Sequence, residues 1–186
     1  AEATSIVLHG IEKRAHQDKK AVHIIALLSE RLAVMHALDS LRINTQATID
    51  LLPVGPKGYV EKEAIQEKLT KETALVLLPF ADPFSGAFQP FDDIASLLRH
   101  QEIPLALDIT LALKKTPLSL RDVDADFVTF DACLLGSPVG IGGLIHKNEK
   151  NVAPFVKGDI GSSDMVVRLA LLSTLLDSMD KDVFHS

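Results

Sequence analysis

Three aspartates stand where chemistry is expected. Asp82, Asp108 and Asp131 each fall at or just after the end of an apolar run. Such a carboxylate cluster binds a cation, or raises one pKa for acid–base work. The competing reading, and the preferred one, is that each caps a helix or turn by accepting backbone N–H bonds. Cys133 is the single cysteine, and its neighbours Leu134 and Leu135 argue for burial as a small apolar side chain rather than a reactive thiol. Arg31, early in a helix, either grips an anion over a cleft or is solvated, and solvation is expected. Lys114 and Lys115, the amines nearest the Asp108 run, read as solvated surface. The seven histidines lack the spacing that sets two metal ligands on one helix face, so no metal is expected. Gly136, Gly140, Gly142 and Gly143 have no strand-to-helix context and read as turn and strand-entry residues, not as a phosphate loop.

The elements that must position these groups are legible from apolar patterning. Short, nearly unbroken apolar runs predict strands at 21–28, 47–54, 74–80, 103–109, 125–131 and 142–147. Ala3, Ile6, Val7, Gly10 and Ile11 form the stripe of an opening helix, which the polar run 12–20 should end. Ser29 is the candidate cap for a second helix with Val34, Ala37, Leu38 and Leu41 inward. A short charged helix is expected at 60–69, another from Pro90 with Phe91, Ile94, Ala95 and Leu98 buried, and a brief connector at 117–123. Residues 165–179 read as a strongly apolar closing helix. Strand–helix–strand repetition implies a mostly parallel sheet with helices on both faces, a three-layer α/β fold. Fewer than a dozen residues join the last two strands, too few for a parallel crossover, so the strand at 142–147 should be an antiparallel edge. In such sheets ligands bind beyond the carboxyl ends of the strands, where the three aspartates lie.

The chain of 186 residues, 47% of them hydrophobic, fits a single domain with a substantial core. A net charge of −6 without a basic block argues against nucleic acid or an acidic membrane as partner. No apolar run has the length of a membrane span. One cysteine permits no internal disulfide, which fits a reducing, cytoplasmic setting.

The order of motifs resembles the large domain of the class V aminotransferase group of pyridoxal-phosphate enzymes, cysteine desulfurases in particular. AEATSIVLHGI resembles the family's T-E-A-N-N helix and SERLAVMHAL its E-H-x-A-V helix. LLPVGPKGYV, ETALVLLPFADPFSGAFQP, LALDIT and the loop ending GIGGLI follow in order. The resemblance implies a fold-type I sheet lacking the family's first strand, a chain stopping before the small domain, and a dimer of its own or with a full-length relative. It also implies losses. The Schiff-base lysine falls on Leu134, its preceding histidine on Cys133, the phosphate-contacting residues on Ala1 and Asp131, and the ring-stacking histidine on Arg31. The asparagine of N-N-E-x-G is lost in Asp82, Pro83, Phe84, Ser85 and Gly86, and a glutamine falls on Leu111. Asp108 matches the aspartate that pairs with the pyridinium nitrogen, which makes Asp108 and Arg31 the relic cofactor-binding positions.

Leucine cannot form an imine, and a carboxylate repels a phosphate. The expectation is therefore an inactive desulfurase-like protein without bound pyridoxal phosphate, acting through a partner. The alternatives are an enzyme using Asp82, Asp108 and Asp131 for other chemistry, with those three as its weak metal candidates, or a plain interaction module.

Overall fold

The computed structural model describes residues 2–113, 116, 123–138 and 140–147. Helix α1 (Glu2–Gln17) leads into strands β1 (His23–Leu27), β2 (Thr48–Leu52), β3 (Thr73–Pro79), β4 (Leu105–Asp108), β5 (Phe127–Asp131) and β6 (Gly142–His146). Helices α2 (Leu32–Asn44), α3 (Lys62–Lys68) and α4 (Phe91–Arg99) connect the earlier strands, and a 3₁₀ turn (Ala132–Leu135) follows β5. The strands form one six-stranded sheet in the order β2-β1-β3-β4-β5-β6. The first five run parallel and β6 antiparallel to β5, pairing Phe127 with His146 through to Asp131 with Gly142. The short β5–β6 connection enforces that reversal. Gly143 sits opposite Phe130, and a side chain there would run into the Phe130 ring.

Because side chains alternate along a strand, one apolar run feeds two cores. Ile25, Leu27, Val76, Leu78, Leu105 and Leu107 pack on one face with Ile65 of α3 and Ile94 and Leu98 of α4. Ile24, Ala26, Leu75, Leu77, Ala106 and Phe127 pack on the other with Val7, Leu8 and Ile11 of α1 and Val34 and Leu38 of α2. The result is the expected three-layer, mostly parallel α/β fold.

Two local expectations are corrected. α1 does not stop at the polar run but continues to Gln17. Val7, Ile11 and Ala15 are buried at four-residue spacing, while Lys13, Arg14, His16 and Gln17 face outward, and Lys13, Arg14 and Gln17 favour helix as straight-chain polar residues do. It ends where Lys19 turns left-handed (φ 54°) and the Lys20 N–H reaches back to the Ala15 carbonyl at 2.8 Å. Ser29 does not cap α2; Arg31 holds that position, without a side-chain cap. Ala1, Lys114, Lys115, most of the 117–123 connector and the 165–179 segment lie outside the described residues.

Candidate functional site

The carboxyl ends of β1, β3, β4 and β5 meet at one rim of the sheet. After β1 the chain turns through Leu28 to Arg31, and the Arg31 carbonyl accepts the N–H groups of Val34 (2.8 Å) and Met35 (3.0 Å) to start α2. With its main chain spent on the helix, the Arg31 side chain crosses to the ends of β4 and β5. Its Nη2 donates to Asp108 Oδ2 at 2.6 Å and to Thr110 Oγ1 at 3.1 Å. The Asp108 carboxylate is nearly buried, 5% exposed against 23% for the Arg31 side chain. Arg31 is thus ion-paired, which corrects the expectation of a solvated arginine.

Thr110 completes the arrangement. Its backbone N–H donates to Asp108 Oδ1 at 2.9 Å, and its hydroxyl donates to the same oxygen. That hydroxyl also accepts the Asp131 N–H at 3.0 Å. One donor and two acceptor sites are all a hydroxyl has, and all are used. The network ties the β1–α2 turn to the ends of β4 and β5. Residue types at Asp-x-Thr spacing hint at the local Asp108–Thr110 bonds, but not at the crossing from Arg31.

Asp82 and Asp131 serve their own loops. Asp82 Oδ1 accepts the N–H groups of Phe84 (3.1 Å) and Ser85 (2.7 Å) and the Ser85 hydroxyl (2.8 Å). Burial works against its charged form, but the Ser29 hydroxyl and these donors prevail and hold its pKa below the ordinary carboxylate value. Ser29 Oγ and Asp82 Oδ2 nonetheless each lack a well-directed hydrogen bond. Asp131 Oδ1 accepts the Cys133 N–H at 2.9 Å and opens the 3₁₀ turn. Burial opposes its charge as well, yet bonding to Cys133 and the charge of Arg31 lower its pKa. Among the described residues no group of three histidines, cysteines, aspartates or glutamates is placed to hold a metal. The proposed carboxylate cluster therefore resolves into two turn caps and one ion pair.

Cys133 is exposed, not buried, and Leu134 beside it is 44% exposed while Leu135 is buried. The 3₁₀ turn turns only Ala132 and Leu135 inward, which an apolar sequence does not reveal. Bonding to Asp131, then burial, raises the Cys133 pKa, so the thiol stays protonated and is a poor nucleophile. Glu30 escaped notice in the sequence. It is 4% exposed, and neither of its carboxylate oxygens makes a well-directed hydrogen bond among the described residues. Burial, with Asp108 nearby, pushes its pKa well up.

The residues present do not fit pyridoxal phosphate. At the positions that the family resemblance gives to the amine, the phosphate contact and the ring-nitrogen partner stand an exposed Leu134, an Asp131 carboxylate and an Asp108 already engaged by Arg31. Ala1, the other phosphate position, lies outside the described residues. No helix among the described residues is long and apolar enough to cross a membrane.

A family model described as aminotransferase class-V matches residues 1–171. The chain is 27% identical over 198 residues to the cysteine desulfurase IscS of Rickettsia typhi, covering 99% of this chain and 47% of that protein. With IscS of Clostridium botulinum it shares 28% over 158 residues, 85% of this chain and 39% of the relative. It thus spans about half the length, or less, of the curated relatives it matches. A solved NifS-like protein superimposes with a TM-score of 0.84 at 19% identity, over 97% of this chain and 51% of the other. DndA from Streptomyces lividans gives 0.78 at 24% identity, over 95% and 51%. At such identities the structural likeness speaks for the fold alone.

Proposed function

The chain belongs to the class V aminotransferase family, and on that premise we propose that it is a catalytically silent, cysteine desulfurase-like protein that works by association. The observation that carries this reading is Leu134: an aliphatic side chain, 44% exposed, at the position the family resemblance gives to the imine-forming lysine. Asp108 does not compensate. A charge-assisted hydrogen bond contributes about 1.5–3 kcal/mol, whereas even millimolar binding corresponds to about 4 kcal/mol. The ionised Asp131 further disfavours a phosphate.

The role left to such a chain is to pair with a second copy or with a full-length relative, and to regulate it. Leu28, Leu32, Phe84, Phe88 and Leu134, at the carboxyl ends of the strands, are all substantially exposed, which suits an associating surface. The lone Cys133 fits a reducing compartment such as the cytoplasm. The purified chain, given L-cysteine and pyridoxal phosphate, should release neither sulfide nor alanine above a protein-free control. Cofactor-dependent turnover that Asp108→Ala abolishes would sink the proposal.

A further inference from the structure

We propose that Arg31 is the residue that shuts the cofactor cleft: its guanidinium takes the Asp108 carboxylate that a protonated ring nitrogen would need, so the cleft refuses pyridoxal phosphate even when an amine is supplied. The inference deepens the silent reading above and rests on it.

Three observations carry it. Asp108 is saturated in the direction of the protein: Oδ1 accepts both the Thr110 N–H and the Thr110 hydroxyl, and Oδ2 accepts Arg31 at 2.6 Å. A second cation reaching the remaining lone pair of Oδ2 would sit against a guanidinium in a site whose carboxylate is 5% exposed, where like charges are poorly screened. Nor is Arg31 free to leave. Its main chain starts α2, and its Nη2 also holds Thr110 Oγ1 at 3.1 Å, which accepts the Asp131 N–H at 3.0 Å. Swinging it out disconnects the β1–α2 turn from the ends of β4 and β5. Finally, the competitor is a guanidinium, a fixed cation whose planar donors match a carboxylate. The missing amine at Leu134 explains why no covalent bond forms. Arg31 explains why the ring cannot even dock.

The test compares the wild type, Leu134→Lys, Arg31→His and the double variant, each confirmed as folded by circular dichroism. Each is titrated with pyridoxal phosphate, reduced with borohydride, and mapped for a pyridoxyl adduct at position 134. Leu134→Lys alone should give an adduct only at concentrations that also label surface lysines. The double variant should reach half-labelling of position 134 at a concentration at least tenfold lower. Arg31→Gln, which keeps a donor to Asp108 without the charge, should give a gain in the same direction when combined with Leu134→Lys, covering the case that histidine disturbs folding. Equal labelling of Leu134→Lys and both double variants, or no labelling of position 134 in any of them, overturns the role of Arg31. Stoichiometric retention of the cofactor by the wild type overturns the silent reading instead, so the two failures are distinguishable.

Discussion

Strand β1 buries all five of its side chains, and Ile24 to Leu27 alternate between two cores. The four residues that follow it obey different rules. Leu28 is 59% exposed, the buried side-chain oxygens of Ser29 and Glu30 lack a well-directed hydrogen bond among the described residues, and Arg31 reaches past β3 to Asp108 at the end of β4. The contrast teaches what holds this fold. Two apolar layers fix the strand order and register, and the rim adds connections without being needed for the architecture.

Breaking the core should have the largest effect. Leu78 is fully buried on the α3–α4 face, and Leu78→Ala should cost about 3–4 kcal/mol in urea unfolding, as buried leucine truncations do. Next comes the Arg31–Asp108 link across the rim. Asp108→Ala leaves Arg31 and the Thr110 hydroxyl without their acceptor and should cost about 3 kcal/mol, the low end for a broken buried pair, because Arg31 is partly exposed. A loss below about 0.5 kcal/mol would show that the pair is ornamental.

Glu30 should behave in the opposite sense. Its pKa is raised in the fold, first by burial and then by Asp108, so the folded state holds its proton more tightly than the unfolded chain. Its favourable contribution is fully present below the ordinary value of 4.5 and is lost as pH rises through the raised folded value. Glu30→Met should therefore stabilise the protein at pH 8 by about 1–3 kcal/mol, the usual cost of an unsatisfied buried polar group. The gain should shrink toward pH 4, as followed by thermal melts across that range. Smallest of all, Phe84→Ser, at a site 84% exposed, should change stability by less than about 0.5 kcal/mol. A larger loss would mean that Phe84 is covered.

These differences also explain what could be read from the sequence. The strands were legible because a sheet covered on both faces writes its interior as continuous apolar runs, and the observed β3 (Thr73–Pro79) and β6 (Gly142–His146) fall within a residue of the runs that announced them. The reversal at β6 followed from chain length alone. The rim was less legible. Capping by Asp82 and Asp131 is local and follows from residue type, but the Arg31–Asp108 pair spans 77 positions, and no periodicity carries that. Cys133 and Leu134 are exposed against expectation because an apolar neighbourhood in sequence is not one in space when the backbone turns through a 3₁₀ helix. Glu30 left no signal beyond its place at the end of an apolar strand.

The most direct test of the central claim is retention of the cofactor by the unaltered chain. The protein is incubated with excess pyridoxal phosphate, desalted, and its absorbance and intact mass are measured with and without borohydride. The expected result is no retained chromophore and no site-specific adduct. One equivalent of cofactor surviving desalting, and lost in Asp108→Ala, would contradict it.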